Sequence, residues 1–398
     1  MSVVPFDLNF RHLRAIGAIV QCGSMSAAAN AVSLSQPALT QGIAKLEAQL
    51  GVALFLRRPG GMDSTEAGYA LAERGTAAFA HLAAAVRAGR RFARPEWLMT
   101  ATQLRAFLSL ADTGSFVGAA SALDLSQPAI HRAVRDLEQI CGIPLVDRRG
   151  RGIALSPAGL RLARGIRLAR AEIAAAIAEI CDVNGGSVVI GAMPLSRAML
   201  VPRAIAQLVA ELPHSEIDVI EGSWRELVEA LRDGAIDLMI GALRPEPAPP
   251  DLLQTALLTD RLMIVGRAGH PLAGAASPSA HELASYPWIV GHSGAPLRAL
   301  WERLFGSGPL PRAPIHCGSV MVIRGILVES DFLTLLSPQQ VALEVDSGVL
   351  AAIGPQPEMS GRVIGVTTRR DWRPTRPQAG FLAALSNSAS RIRNQDFE

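Results

Sequence analysis

The first half of the chain contains one sequence pattern twice. Residues 13–68 align without gaps with residues 104–159, an offset of 91 residues, and 22 of the 56 aligned positions are identical. The segment GSMSAAANAVSLSQPAL at 23–39 returns as GSFVGAASALDLSQPAI at 114–130. Because chance similarity between helices would not keep turns and caps in register over this length, the repeat predicts two folded units of the same kind.

Each copy of the repeat predicts three helices followed by a short strand and a turn. In the first copy, Gly23 ends the first helix and Ser24 is a suitable N-cap for a short second helix. Ser35 caps a third helix, with Pro37 in the first turn, where the missing N–H costs nothing. Apolar residues at helical spacing predict the buried face of the third helix: Leu39, Ile43, Leu46 and Leu50, and in the second copy Ile130, Val134, Leu137 and Cys141.

A short helix, a tight turn and a longer capped helix form the helix-turn-helix layout. A generic helical bundle that binds nothing is the alternative interpretation. The pattern SxxxAA…LSQPAL…LE..LG..LF.RR…T.AG of the first copy closely resembles the winged helix-turn-helix of LysR-type transcriptional regulators, and the second copy matches nearly as well. The family commonly has Gln before the Ile of the recognition helix, but Gly42 and Ala133 occupy these positions, so a routine contact is expected to be absent there.

The face of each third helix that lies opposite the buried stripe is expected to meet DNA. Resemblance adds Gln36 and Gln127 at the helix starts, and Arg57, Arg58 and the arginines of the second wing are expected to contact phosphates or the minor groove. The predicted DNA-contacting residues are Ser35, Gln36, Pro37, Thr40, Gln41, Lys45, Arg57, Arg58, Ser126, Gln127, Pro128, His131, Arg132, Arg135, Arg148, Arg149 and Arg151.

For any one of these residues, solvation or a phosphate contact is the alternative to reading a base. The second copy has two arginines on its reading face and three in its wing, so it is expected to supply more of the affinity. In the alternative interpretation, the first copy acts as a protein-interaction or dimerisation module and does not read DNA. Footprint length discriminates the two, since two reading heads per subunit protect more DNA.

A long Ala/Leu/Arg-rich helix is predicted after each copy, at about 66–92 and 157–181. In the LysR family the corresponding helix pairs with its counterpart in a second subunit, and packing within one chain is the alternative. The first helix could instead only space the two heads. The predicted apolar stripe of the second helix is Leu160, Ala163, Ile166, Leu168, Ile173, Ile177 and Ile180.

Strands alternate with helices in the remaining sequence, which predicts a parallel sheet. The strands are expected at 187–192, 215–222 and 235–241, and a second α/β unit is expected to end near 345. A final strand at 363–369 and a helix at 377–393 return to the first unit. This region resembles the LysR effector domain, which has two periplasmic-binding-protein-like lobes. The resemblance rests on the segments G…IDLMIG, HPLA, YPWIV and FLTLLSP.

Within the family, the pattern PWIV…APLR…PLPRAP…ESDFLTLLSP looks nearest the branch of galactose-binding-protein regulators and protocatechuate-pathway regulators. In such folds, ligands lie at the carboxyl ends of strands, beside helix N-termini. The candidate effector-binding residues are Ser196, Arg197, Ser223, Trp224, His292, Ser293, Ser319, Met321 and Phe332. Arg197 could hold a carboxylate, whereas Trp224 and Phe332 have core packing as their alternative role.

The expected architecture is multidomain, with two all-α-type winged helix-turn-helix domains followed by an α/β periplasmic-binding-protein-like two-lobed effector domain. The predicted segments are 1–68 (first head), 69–98 (helical linker), 99–159 (second head), 160–183 (dimerisation helix) and 184–398 (effector domain, with lobe 1 at 184–266 and 346–398 and lobe 2 at 267–345). Charge follows this division: residues 1–160 carry 16 basic and 11 acidic side chains, and residues 183–398 carry 18 and 21.

An enzyme is not expected, because acidic residues and histidines are scattered without metal spacing or a nucleophile motif. The sequence has no apolar run long enough to span a membrane and no signal-peptide layout, so a cytoplasmic regulator is expected. The resemblance implies double-stranded DNA, a small-molecule effector (an organic or aromatic acid, or a sugar) and a homodimer or homotetramer. Contact with RNA polymerase stays open. No cofactor, metal or membrane partner is expected.

Overall fold

The computed structural model describes residues 3–58, 61–86, 92–149, 152–181, 185–194, 196, 198–244, 247–306, 308–357 and 361–395. The chain divides into two compact units. The first, called the head unit here, comprises Met1–Gly186 with Arg232–Ala235. The second, the effector unit, comprises Ser187–Leu231 with Ile236–Glu398. Both copies of the repeat and both long helices therefore belong to one unit.

Two heads with the same order of elements occupy the head unit. The elements of the first head are α1 (Phe10–Cys22), α2 (Met25–Ala31), α3 (Gln36–Leu50), β1 (Phe55–Arg58) and β2 (Gly61–Ser64). Those of the second head are α5 (Ala101–Thr113), α6 (Phe116–Leu123), α7 (Gln127–Cys141), β3 (Val146–Arg149) and β4 (Gly152–Leu155). In each head the two strands pair antiparallel and form the wing.

The local signals that predicted these helices are confirmed with one exception. Gly23, Gly51 and Gly142 end their helices with positive φ, a conformation that glycine adopts without strain. The Ser35 hydroxyl accepts a hydrogen bond from the Ala38 N–H. Ser126 occupies the same position in the second head, but its hydroxyl makes no capping bond. All eight residues of the predicted buried stripes in α3 and α7 are buried.

A long helix follows each head, α4 (Glu66–Ala85) after the first and α8 (Pro157–Ile180) after the second. The first is shorter than expected, and residues 87–91 lie outside the described residues. The predicted stripe of α8 is wrong at Leu160, which is 59% exposed, and Leu168 is only half-buried. Burial instead follows Leu162, Ala163, Ile166, Ala169, Ile173, Ala176, Ile177 and Ile180. Within the chain, α4 and α8 pack against each other, and pairing of α8 with a second subunit stays a prediction.

Lobe 1 of the effector unit contains a five-stranded sheet of order β6-β5-β7-β14-β8. Its strands are β5 (Ser187–Ala192), β6 (Glu216–Glu221), β7 (Leu238–Ala242), β8 (Leu252–Arg261) and β14 (Gly361–Arg369). The three predicted strands β5, β6 and β7 are parallel, as expected. The sheet as a whole is mixed, however, so the prediction of a fully parallel sheet is wrong: β14 runs antiparallel to both β7 and β8.

Lobe 2 has a three-stranded sheet of order β12-β9-β13 and a two-stranded parallel sheet. Its strands are β9 (Met263–Arg267), β10 (Ile289–Val290), β11 (Ile315–His316), β12 (Thr334–Leu336) and β13 (Leu350–Ala352). The predicted boundary between lobe 1 and lobe 2 after residue 266 is therefore misplaced, because the chain changes sheets at Leu262. The predicted end of lobe 2 at residue 345 is misplaced as well, because β13 still pairs with β9. The return lies between Ala352 and Gly361.

Helices cover both lobes. Those of lobe 1 are α9 (Leu200–Glu211), α10 (Trp224–Arg232) and α15 (Arg376–Gln395), and those of lobe 2 are α11 (Ala280–Ala284), α12 (Pro296–Leu304), α13 (Val320–Val328) and α14 (Ala342–Asp346). The last strand and helix return to lobe 1, as predicted. Within the described ranges, none of the helices has the length and apolar character that crossing a bilayer requires.

Candidate DNA-reading faces and effector cavity

The third helix of each head presents a polar face to solvent. Gln41 and Lys45 on α3, and Arg132 and Arg135 on α7, are exposed. The residues at the helix starts are exposed as well: Gln36, Pro37, Ser126, Gln127 and Pro128. Thr40 is half-buried and its hydroxyl donates to the Gln36 carbonyl oxygen at 3.0 Å. The arrangement leaves glutamine, lysine and arginine side chains free to reach base edges or phosphates.

Three positions on these helices have packing roles, and one of them is the predicted DNA-contacting residue His131. The His131 ring stacks on Phe116 of α6, with 3.7 Å between the ring centroids. Gly42 is buried, and a Cβ there would lie 2.5 Å from the His12 ring. Ala133, its counterpart, is also buried. The positions where the family commonly has Gln therefore face the interior of each head.

The wings place basic residues beside the recognition helices. Arg57 and Arg58 are exposed on β1, and Arg58 Nε lies 2.6 Å from Asp63 Oδ2 on β2. Arg148 and Arg149 occupy the corresponding positions of β3, but only their backbone is described. Arg151 lies outside the described residues.

A cavity of about 500 Å3 lies between the lobes of the effector unit. It is lined at the start of α10 by Ser223 and Trp224, before α12 by His292 and Ser293, and before α13 by Gly318. Each of these helices has nine residues, and residues at their N-terminal ends line the same space. Since helix N-termini carry positive partial charge, the site is suited to an anion.

Three arginines also line the cavity: Arg225, Arg244 and Arg362. The Arg244 guanidinium lies 4.8 Å from the centroid of the Trp224 ring. Burial and the neighbouring charge of Arg225 lower the pKa of Arg244. The positive charge of Arg362 is neutralised by an ion pair, because its Nε donates to the Asp260 carboxylate at 2.9 Å.

The acidic residue of the described lining, Glu226, is engaged at the start of α10. Its carboxylate accepts from the Ser223 backbone N–H at 2.7 Å. Hydrogen bonds from the backbone and side chain of Ser223 lower the pKa of Glu226. The carboxylate thus acts as part of the helix cap, and Arg225 and Arg244 leave the cavity with a positive character.

The structure brings together four of the nine effector residues predicted from sequence: Ser223, Trp224, His292 and Ser293. The other described candidates lie outside the described lining. Ser196 is buried, with its hydroxyl donating to the Met193 and Ile240 carbonyls. Met321 is exposed, Phe332 packs in an apolar cluster of lobe 2, and Ser319 caps α13. Arg197 lies outside the described residues.

Comparison with known proteins agrees with this arrangement of heads and effector lobes. The sequence matches "Bacterial regulatory helix-turn-helix protein, lysR family" twice, over residues 10–69 and 101–160, and "LysR substrate binding domain" over residues 182–390. Together these matches cover most of the chain. The protein belongs to the LysR family.

Relatives of this LysR-family regulator include two named transcriptional regulators. GalR of Pseudomonas putida is 31% identical over 369 residues, covering 91% of this chain and 92% of the relative. PcaQ of Agrobacterium fabrum is 28% identical over 294 residues, covering 73% and 94%. A full-length OxyR variant from Pseudomonas aeruginosa has the same fold, with a TM-score of 0.54 and 22% identity over 73% of this chain and 94% of that one.

LysR-family regulators bind DNA through the helix-turn-helix and carry an effector-binding domain, and these statements hold for this chain. Sequence reasoning missed all three arginines that line the cavity, Arg225, Arg244 and Arg362. Arg244 follows the carboxyl end of β7, so the rule that selected residues after β5 and β6 would have found it. Arg362 is the second residue of β14, and it reaches the same edge only because β14 is antiparallel, which no local signal indicates.

Proposed function

We propose that this LysR-family regulator reads DNA with both heads and that a small organic anion, bound between the lobes of the effector unit, controls its activity. The observation that carries the choice of effector is the convergence of Arg225, Arg244 and three helix N-termini on one cavity. A carboxylate accepts charge-assisted hydrogen bonds from such groups, whereas a neutral sugar gains less from them. The Trp224 ring offers an apolar face for the rest of the effector.

The role of each lining residue follows from its position. Arg244 is held over the indole of Trp224, so its guanidinium is the expected partner of the carboxylate. Arg225, one residue beyond Trp224, adds a second cationic group. Ser223, His292 and Ser293 supply hydroxyl and imidazole groups that orient the remaining polar atoms of the effector.

The effector class is tested by thermal shift of the full-length protein against aromatic acids, dicarboxylic acids and neutral sugars. A ligand that binds only the folded state at a hundred times its Kd stabilises by about 2.7 kcal/mol. We expect acids to raise the Tm, and we expect Arg244→Gln to weaken their binding about 10- to 100-fold. Arg203→Gln, an exposed change on α9, is the matched control and should bind like the wild type.

Stabilisation by sugars alone, unaffected by Arg244→Gln, would contradict an anionic effector.

The chain is proposed to act by binding and not by catalysis, and to work in the cytoplasm, where its DNA partner is found. The interaction-module role for the first head is not favoured, because α3 keeps exposed Gln36, Gln41 and Lys45 on its reading face.

A further inference from the structure

The helices α4 and α8 pack antiparallel in the head unit. Arg74 of α4 bonds to Glu172 and Glu179, near the end of α8. Further along α4, His81 Nε2 lies 3.9 Å from Glu172 Oε1. Near the end of α4, a Cβ on Gly165 would lie 2.7 Å from the Ala85 Cβ. As the residue number rises in α4, the number of its partner in α8 falls.

These contacts have the pattern of a two-fold symmetric interface, if residues 91 positions apart in the chain are treated as symmetry mates. The 91-residue offset makes Arg74 the counterpart of Gly165 and His81 the counterpart of Glu172. In a two-fold interface, if residue i of one half contacts residue j of the other half, then residue j of the first half contacts residue i of the second. Arg74 contacts Glu172, and the reciprocal pair also meets, since a Cβ on Gly165 would lie 2.9 Å from the His81 carbonyl oxygen. His81 faces its own counterpart Glu172, which marks the position of the axis.

The segments that precede the heads are exchanged in the same reciprocal way. The short 3-10 helix Pro5–Asp7 of the first head contacts α8, the helix of the second head. Its counterpart Pro95–Trp97, which precedes the second head, contacts α4. The Arg14 guanidinium of α1 also donates to the Trp97 carbonyl at 3.3 Å and lies 4.4 Å from the centroid of that ring.

The interface is apolar and closely packed around one buried ion pair. The buried residues of α4, α8 and both heads form one continuous cluster. Arg74 and Glu172 have side chains that are 8% and 9% exposed. Because this surface is occupied within one chain, a second subunit is not needed to bury it.

We infer that a single chain holds its two heads as a pseudo-two-fold pair and reads two unlike DNA half-sites in one fixed orientation. The inference rests on the proposed DNA reading by both heads. A two-fold pair of identical heads reads a palindrome, with half-sites separated by whole helical turns. Here the exposed counterparts differ in chemistry: Gln41 and Arg132, Ala44 and Arg135, Lys45 and Asp136.

The difference between the faces predicts the difference between the half-sites. Arginine favours the guanine edge and glutamine favours the adenine edge. The half-site of the second head is therefore expected to be richer in G·C, and that of the first head richer in A·T. The order of the half-sites orients the whole chain on the DNA.

Selection of bound duplexes from a random library, with the full-length protein, tests the inference. We expect two unlike half-sites in fixed order and spacing, and native mass spectrometry should count one chain for each pair. The selected duplex should bind at least about tenfold more tightly than either version with two identical half-sites, because each mismatched base pair weakens binding.

A converting variant makes the test specific. Arg132→Gln, Arg135→Ala, Asp136→Lys and Gln139→Ala together give α7 the exposed residues that α3 has after its first turn, and the selected half-sites should then become alike. Arg161→Gln with Arg170→Ala, two exposed changes on α8, is the control and should retain unlike half-sites.

The two ways of failing are distinguishable. Two alike half-sites bound by two wild-type chains would overturn the paired arrangement while leaving DNA reading intact. A single half-site per chain, unchanged by Gln41→Ala with Lys45→Ala, would overturn the proposed reading by the first head, and the inference with it.

Discussion

Arg74 and Glu172 lie on the helices that follow the two copies of the repeat, and they meet in the interior of the head unit. Burial alone would raise the pKa of Glu172, but the polar contacts and charges of His81 and Arg74 outweigh it and lower the pKa. The carboxylate therefore stays ionised in the folded protein. A buried charge of this kind is stable only while its partner is present.

The replacement Arg74→Met should be strongly destabilising, because it leaves the Glu172 carboxylate buried without its main cationic partner. The expected loss is about 3–5 kcal/mol in the free energy of unfolding of the head unit. The measurement is the midpoint of thermal unfolding for the full-length protein. The double variant Arg74→Met with Glu172→Met is the control, since it removes both charges and should recover most of the loss. A double variant as unstable as the single one would count against the ion pair.

Single residues were predictable from sequence where a local rule applies. Gly23, Gly51 and the Ser24 cap follow from backbone conformation, which depends on near neighbours. Arg74 was not predicted, because its partner is 98 residues away in the chain. Leu160 was predicted as buried and is exposed, because the packing of α4 decides which face of α8 is covered.

At the scale of elements, the recognition helices α3 and α7 share a buried stripe and differ on the exposed face. Arg132 and Arg135 give the exposed face of α7 two positive charges, and Asp136 adds one negative charge. On α3, the single cation of the face is Lys45. Arginine can bond two acceptors of one base or one phosphate, which favours the second head as the larger source of affinity.

Removing Arg132 and Arg135 together, by alanine, should weaken binding to the selected duplex more than Gln41→Ala with Lys45→Ala. Loss of a bidentate contact costs about 1–3 kcal/mol, so roughly 10- to 100-fold more loss is expected in α7 than in α3. A gel-shift titration at fixed salt measures both. Equal losses would contradict the ranking of the heads.

Helix positions and the three parallel strands were predictable because periodicity and turn residues act over short distances. The antiparallel position of β14 and the crossovers at Leu262 and after Ala352 were not, because sheet partners are chosen by tertiary packing. The same limit applied to the cavity. Ser223 and His292 follow strands and were found, whereas Arg362 depends on the direction of β14.

For the whole molecule, separate apolar cores define the two compact units. One continuous cluster serves both heads and the helices α4 and α8, and separate clusters serve the lobes of the effector unit. Units with separate cores need not unfold together, and a chain of this kind is not expected to follow a single two-state transition.

Calorimetry of the full-length protein should therefore resolve two unfolding transitions that respond to different substitutions. Gly165→Leu forces side-chain atoms into the α4 backbone and should lower only the transition of the head unit, by several degrees, since overpacking costs about 1–3 kcal/mol. Trp288→Ala empties a fully buried site in lobe 2 and should lower only the other transition, by about 10 °C. A single transition that both substitutions move by the same amount would show that the two units unfold as one.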